Sequence, residues 1–145
     1  MSILTSSKIK SEVEAGSIRI APYSEDQLNT ASYDLTLGDE VRVYKDWVNY
    51  NEHVSQPSLR DGRDFTPCPR ICDVKSALET VSFRMDPTRG WVLKPGIGSL
   101  LHTREQIWTR DYVPIVDGKS SIGRLFTLIH FTAGFGDPNF DGQYT

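Results

Sequence analysis

The chain is 145 residues long with 38% hydrophobic residues, enough to bury one core of ordinary size, so we predict a single domain over residues 1–145. A formal net charge of -3 and the lack of a dense run of lysine or arginine argue against polymeric nucleic acid as a partner. No stretch approaches the roughly 20 apolar residues that cross a bilayer, and the N-terminal residues lack the apolar core of a signal peptide, so we expect a cytoplasmic protein without membrane contact.

The first predicted element is a short helix. Residues 5–14 begin with hydroxyl side chains, place Ile9 and Val13 four positions apart and are followed by Gly16, a pattern typical of a capped amphipathic helix. Short apolar or alternating runs, each ended by Gly, Pro, Asp or Asn, predict strands at 17–20, 32–37, 41–44, 91–93, 99–103 and 128–132. Short strands at this spacing predict a mainly-β fold, a distorted sandwich or barrel.

Residues 45–89 differ in composition from the rest of the chain. They are rich in Asn, Asp, Pro, Arg and Ser, and we interpret them as a variable surface excursion in which 77–83 is a candidate strand. This segment contains both cysteines, Cys68 and Cys72. A zinc deaminase needs Pro-Cys-x-x-Cys and His-x-Glu, but Cys72 comes one residue too late and no histidine begins His-x-Glu. We therefore expect two loop thiols and no metal bound directly by the protein.

The end of the sequence follows a turn signal, Gly136-Asp137-Pro138-Asn139, and stops at Thr145 where a returning strand should be pairing. An unpaired strand leaves the edge of a ladder open. We therefore expect the sequence to be truncated at its C-terminus, or the strand to be completed elsewhere.

A second stretch that predicts a turn is Gly118-Lys119-Ser120-Ser121. It is not a Walker loop, because Val113 stands where the first glycine of that motif is needed. What remains is a tight turn entering a helical turn at 121–125, where exposed backbone N–H groups favour an anion. A solvated turn with a capping serine is the alternative interpretation.

Three stretches then carry a combined pattern: Ala31-Ser32-Tyr33-Asp34-Leu35-Thr36-Leu37-Gly38, Val116-Asp117-Gly118-Lys119-Ser120-Ser121-Ile122-Gly123-Arg124-Leu125 and Thr132-Ala133-Gly134-Phe135-Gly136-Asp137-Pro138-Asn139-Phe140-Asp141-Gly142. In sequence, order and separation they resemble the motifs of the dCTP deaminase family and, more distantly, of the homotrimeric dUTPases. Asn139 stands where that family usually has glycine, and asparagine tolerates the left-handed backbone such a turn needs. The resemblance implies a dUTPase-like β-clip with one short N-terminal helix and a helical turn after Gly-Lys-Ser-Ser.

The resemblance also implies roles for individual residues. Ser120 and Arg124 would flank the pyrimidine amino group, the Ala133 carbonyl would help to hold the attacking water, and a catalytic glutamate would follow shortly after Thr145. Lys119 and Ser121 would meet the phosphates, and Asp137 would bind the sugar 3′-hydroxyl. The full set of implied substrate contacts is Lys119, Ser120, Ser121, Ile122, Gly123, Arg124, Phe135, Asp137, Phe140 and Thr145.

A triphosphate normally arrives with magnesium, whose ligands would be mainly phosphate oxygens and waters. Asp34 would either order that ion through water or serve a structural purpose. The resemblance further implies a homotrimer with sites at subunit interfaces. The expected reaction is deamination of dCTP to dUTP without a metal at the reacting carbon, with or without release of pyrophosphate to give dUMP. A dUTPase and an inactive nucleotide-binding relative are the alternatives.

Overall fold

A computed structural model describes residues 2–45, 75, 78–93 and 98–145. Among these residues there are two α-helices, α1 (Ser6–Glu14) and α2 (Ser120–Gly123), and a 3-10 turn at Glu25–Gln27. The strands are β1 (Ile18–Ala21), β2 (Leu28–Asn29), β3 (Ser32–Tyr33), β4 (Leu37–Tyr44), β5 (Thr80–Arg84), β6 (Ser99–Thr103), β7 (Gln106–Thr109) and β8 (Asp141–Gly142). Strands therefore dominate, and the predicted mainly-β fold class is confirmed. No helix within the described ranges is long and apolar enough to cross a membrane.

The N-terminal helix forms where the sequence predicts it. Ile9 is the buried position of α1, and Gly16 follows the helix with φ 73°, a left-handed conformation that glycine adopts without steric cost. The amide of Gly16 donates to the carbonyl of Val13 at 3.1 Å and so satisfies one of the last helical carbonyls. The hydroxyl residues at its start, the spacing of its apolar residues and the glycine after its end specify this helix from the local sequence.

The described residues divide into two compact units, of which the first comprises residues up to Leu37 and Thr103–Thr145. In this unit β7 lies between β1 and β8, and all pairings are antiparallel. β2 and β3 form a separate antiparallel pair. The buried side chains of this unit include Ile18, Ile107 and Thr109 on the first sheet.

The second unit comprises Gly38–His102. It contains a three-stranded sheet in the order β5-β4-β6, with β4 and β5 antiparallel. Val41 and Val43 are buried on either side of the exposed Arg42 in β4, as expected for a strand with one apolar face. The candidate strand within the predicted excursion is present, shifted to β5. Most of the 45–89 excursion, including Cys68 and Cys72, lies outside the described residues, and a single domain over 1–145 stays a prediction.

Several local predictions differ from the structure. The strand predicted at 32–37 is limited to β3, and the helical turn predicted at 121–125 is α2, which begins one residue earlier and ends at Gly123. Residues 91–93 and 128–132 are not strands. In the second case the apolar side chains of Leu128 and Phe131 are exposed, at 69% and 89%. An apolar run becomes a strand only where another strand supplies its backbone hydrogen bonds, and no such partner pairs with it among the described residues.

Gly38 in β4 supports a first quantitative prediction. A Cβ atom at this position would overlap the imidazole ring of His102 in β6. We expect Gly38→Ala to lower the free energy of unfolding by about 1–3 kcal/mol, because the ring or the strand must move. Urea unfolding measures this change. Gly123→Ala is the matched control, since a Cβ there meets no atom within 4 Å; equal stability of the two variants would contradict the prediction.

Candidate functional site

All the sequence-predicted site residues lie in the first compact unit. The second and third motifs run beside each other at their start, where Ile115 and Phe135 form an isolated antiparallel bridge. The Val116 amide donates to the Gly134 carbonyl at 2.7 Å, and the Gly136 amide donates to the Pro114 carbonyl at 2.9 Å. The structure therefore ties the turn that contains Ser120 to the segment that contains Ala133.

His130 packs against this junction. Its Nε2 atom lies 2.9 Å from the Val116 carbonyl, and its Nδ1 atom is buried without a hydrogen-bond partner among the described residues. Gly134 passes so close that a Cβ there would lie 2.8 Å from His130 Cε1 and 3.1 Å from the Val116 carbonyl. A side chain at Gly134 would push these groups apart, so glycine permits the close approach of the two motifs.

Helix α2 presents two of the predicted catalytic residues. Lys119 precedes it in an extended conformation, and its carbonyl accepts hydrogen bonds from the amides of Ile122 and Gly123 at 2.9 and 3.0 Å. This turn places Ser120 and Arg124 four residues apart, a spacing that puts both on one face. Both residues are exposed, and neither side chain has a hydrogen bond or ion pair to any described residue. Hydroxyl and guanidinium groups are thus available to a ligand on the same face.

Lys119 is already paired. Its ammonium group donates to the carboxylate of Asp34, which lies in the first motif after β3. The hydrogen bond from Lys119 and a second one from Asn29 hold the pKa of Asp34 below its ordinary value. Asp34 is therefore an anion at neutral pH. The first and second motifs, 85 residues apart in sequence, meet through this pair.

Glu105 is a residue that the sequence analysis missed. Its side chain is 1% exposed, and its carboxylate accepts hydrogen bonds from Gln27 Nε2 at 2.9 Å, from the Thr36 amide at 3.0 Å and from Thr36 Oγ1 at 2.7 Å. Gln27 Nε2 also donates to the Asp34 carbonyl at 2.7 Å, and the Asp34 amide donates to the Gln27 carbonyl at 2.8 Å. Glu105 thus supports the backbone from which the Asp34 side chain extends. The available signal was the two-residue alternation from Glu105 through Ile107, which directs a carboxylate inward.

Replacing the Glu105 carboxylate with an uncharged group should lower the free energy of unfolding by an amount that depends on pH. Burial raises the pKa of Glu105, but the hydrogen bonds from Gln27 and Thr36 together outweigh it and hold the pKa below the ordinary 4.5. The stabilisation is therefore fully present above the unfolded-state pKa and is lost as the pH falls through the lower folded-state pKa. We expect Glu105→Gln to lower the free energy of unfolding by about 1–3 kcal/mol at neutral pH, because the amide cannot accept all of these bonds.

Urea unfolding of the wild type and of Glu105→Gln, at neutral pH and then at falling pH below 4.5, measures this effect. The two proteins should converge in acid. Glu25→Gln is the matched control, because Glu25 is 65% exposed and pairs with Lys10 at the surface. A difference between wild type and Glu105→Gln that stays constant with pH would contradict the predicted linkage.

The third motif ends in a tight turn. Asn139 has φ 65°, the left-handed conformation expected of it, and its amide donates to the Thr109 carbonyl at 2.7 Å. Phe140 stacks on Tyr144 with ring centroids 5.5 Å apart. Burial, followed by the charge of Asp137, raises the pKa of the Tyr144 hydroxyl. Asp137, Phe140 and the unpredicted Tyr144 therefore lie close together.

The structure does not link all of the predicted site residues through hydrogen bonds. Among the described residues, no hydrogen bond joins the side chains of Ser120 or Arg124 to Ala133, Asp137 or Thr145. Phe135 is 70% exposed. No group of three or more His, Cys, Asp or Glu side chains within the described ranges has an arrangement that would hold a metal ion. The candidate site therefore consists of exposed segments whose predicted side chains are not joined to one another by hydrogen bonds among the described residues.

Comparison with known proteins identifies the family of this chain. Residues 3–145 match the family model described as dCTP deaminase-like. A "dCTP deaminase, dUMP-forming" from Clostridium botulinum (strain Eklund 17B / Type B) is 39% identical over 128 residues, which is 88% of this chain and 60% of that protein. Proteins of the same description from Hathewaya histolytica and Clostridium acetobutylicum are 34% and 35% identical over 143 residues, which is 99% of this chain and 69% and 68% of theirs. The chain thus spans about three fifths of the Clostridium botulinum relative and somewhat more of the other two. The chain belongs to the dCTP deaminase-like family.

Proposed function

We propose that the protein hydrolyses the 4-amino group of dCTP and carries the product on to dUMP. The observation that carries the proposal is α2, where Ser120 and Arg124 lie on one face and their side chains have no partner among the described residues. The segment that leads into α2 is bonded to the third motif, because the Val116 amide donates to the Gly134 carbonyl. The similar proteins described as dCTP deaminase, dUMP-forming support the second step. The Ala133-Gly134-Phe135 sequence, which resembles that of bifunctional family members, also supports it.

The deamination step needs a nucleophilic water, a proton acceptor and stabilisation of the reacting amino group. The water oxygen bonds to C4 of the cytosine ring, one proton of that water passes to N3, and the other passes to the amino group. The C4–N bond then breaks, so that ammonia leaves and a uracil carbonyl remains. The Ser120 hydroxyl and the Ala133 carbonyl would orient the water. Arg124 would favour the charged form of the catalytic glutamate that the family resemblance implies beyond Thr145.

Lys119 and Ser121 are the proposed phosphate contacts. The side chain of Lys119 is 61% exposed and that of its Asp34 partner 28%, so the lysine can reach a ligand while it stays paired with the carboxylate. A single ionised carboxylate beside a phosphate-binding lysine fits a magnesium ion that takes most of its ligands from phosphate oxygens and water. Asp34 would then hold one of those waters, and the ion would neutralise part of the phosphate charge.

Substitution of Lys119 tests the phosphate contact. We expect Lys119→Met to raise KM for dCTP about tenfold or more and to leave kcat within about threefold, because a lost charge-assisted contact to phosphate weakens ground state and transition state alike. Steady-state kinetics at saturating magnesium measures both constants. Lys10→Met is the matched control, since Lys10 lies on α1 and pairs with Glu25 of the 3-10 turn. A fall in kcat at unchanged KM would contradict this assignment.

A homotrimer with sites between subunits is part of the proposal. Five of the seven residues that follow Arg124 have apolar side chains that are exposed in the single chain: Leu125 (70%), Phe126 (99%), Leu128 (69%), Ile129 (50%) and Phe131 (89%). Several large apolar side chains exposed within one short segment are typical of a surface that contacts another protein. We call residues 125–131 the apolar segment. It adjoins Ser120 and Arg124, so a second subunit covering it would complete an otherwise open site.

The decisive measurement uses the full-length protein with dCTP or dUTP and magnesium, following ammonia and pyrophosphate separately. Ammonia from dCTP establishes the deaminase, and pyrophosphate alongside it establishes formation of dUMP. Pyrophosphate from dUTP alone would make the protein a dUTPase. If neither product forms while dCTP binds, the protein is a nucleotide-binding relative without turnover.

A further inference from the structure

The end of the third motif is attached to the rest of its unit by a short strand. β8 has two residues and lies at the edge of the sheet, with Asp141 opposite Trp108 and Gly142 opposite Ile107. The turn that contains Asp137 and Phe140 leads directly into it. A two-residue edge strand has few backbone hydrogen bonds, so side chains must contribute to holding this turn in one position.

One residue of β1 reaches across the whole sheet to β8. Arg19 is opposite Trp108 in the β1–β7 pair, and Trp108 is opposite Asp141 in the β7–β8 pair, so the three side chains lie in one row. Opposed residues of antiparallel strands share a face of the sheet. The Arg19 guanidinium lies 5.4 Å from the centroid of the Trp108 ring and donates a hydrogen bond to the Asp141 carboxylate.

The row of Arg19, Trp108 and Asp141 contributes little to the stability of the fold. Arg19 and Asp141 are 57% and 53% exposed, and ion pairs at such sites contribute little to stability in water. Its geometry is nevertheless specific, because the guanidinium lies over the Trp108 ring while its Nη2 atom donates to the carboxylate. Asp141 follows Phe140 directly, so fixing Asp141 fixes the backbone of the turn.

We propose that Arg19, stacked on Trp108 and bonded to Asp141, is a positioning residue that orients the turn of Asp137 and Phe140 toward the deoxyribose. The inference rests on the proposed function, in which Asp137 binds the 3′-hydroxyl. Arg19 touches neither substrate nor reacting atoms in this assignment. Its effect is on recognition of the sugar.

The test compares dCTP with 2′,3′-dideoxy-CTP as substrates of the full-length protein. For Arg19→Ala we expect KM for dCTP to rise about tenfold at nearly unchanged kcat, and the preference for dCTP over the dideoxy compound to fall by a similar factor. Arg19→Lys should restore little of either, because lysine lacks the planar fork. Asp141→Asn should match Arg19→Ala, and the double variant should be no worse than either single one.

Arg42→Ala is the matched control, because Arg42 is 56% exposed on β4 and pairs with Glu40 in the other unit. It should change neither KM nor the sugar preference. If Arg19→Ala leaves the ratio between dCTP and dideoxy-CTP unchanged, the positioning role is wrong, whatever happens to thermal stability.

A second readout separates this inference from the proposed reaction. The Asn139 amide, bonded to the Thr109 carbonyl, reports directly on the turn by hydrogen exchange. Arg19→Ala should accelerate its exchange about tenfold while the amide of Arg110, bonded to Ser17, exchanges at the wild-type rate. A protein that releases no ammonia would overturn the proposed function alone. Unchanged exchange at Asn139 would overturn the role of Arg19.

Discussion

Arg124→Ala is expected to lower kcat for ammonia release from dCTP by about 100-fold or more. Arg124 follows Ser120 by one helical turn and has an exposed guanidinium without a partner among the described residues. In the proposed reaction this cation favours the charged, proton-accepting form of the catalytic carboxylate, and losing a group of this kind typically costs two to three orders of magnitude. Arg124→Lys should recover little, because an ammonium group does not reproduce the flat guanidinium.

The test of Arg124→Ala measures both the rate of the chemical step and the affinity for dCTP. Ammonia release in single turnover gives the chemical step, and titration with dCTP under conditions without turnover gives the affinity. Arg110→Ala is the control, since Arg110 is an exposed residue of the same unit whose backbone amide bonds to the Ser17 carbonyl. A kcat within about threefold of wild type in Arg124→Ala would exclude the assigned role.

If the protein forms the proposed trimer, Phe131→Asp is expected to convert it to monomers and to abolish turnover. Phe131 is 89% exposed in the single chain and lies in the apolar segment next to the third motif. A carboxylate buried without a partner in an apolar contact is strongly unfavourable, whereas on a free monomer surface it is harmless. The folded monomer should therefore survive while the assembly does not.

Analytical ultracentrifugation, with circular dichroism for the fold, measures the outcome. Ile3→Asp is the matched control, because Ile3 is an apolar side chain 73% exposed at the other end of the unit's sequence. Raising the protein concentration should restore some activity to Phe131→Asp if assembly is the cause. An intact trimer in this variant would show that another surface forms the subunit contact.

The parts of the structure that the sequence predicted are those decided within a few residues. Helix α1 is one example, since hydroxyl residues, the spacing of Ile9 and Val13 and a final glycine are all local signals. The helical turn after Gly118 is another, and so is the left-handed Asn139. The predicted site residues were assigned through three short motifs, which are equally local.

Contacts between distant segments required the tertiary structure. The strand at 106–109 was missed because an alternation over so few residues does not indicate a strand by itself, and the pairing with β1 and β8 on either side is what makes this segment a strand. The strand predicted at 128–132 was wrong for the converse reason, since an apolar run has no strand partner in the described structure. Strand formation depends on a neighbour that sequence patterning does not identify.

The sequence by itself determined the family, the mainly-β class and the residues of the three motifs, because these depend on residue identity and short spacing. Only the tertiary structure decided that Asp34 pairs with Lys119 and that the buried Glu105 supports the backbone around Asp34. It likewise decided that Arg19 reaches Asp141 across Trp108. Each of these contacts joins residues far apart in the chain, and the register of the strands and the path of the turns determine which side chains come within hydrogen-bond reach.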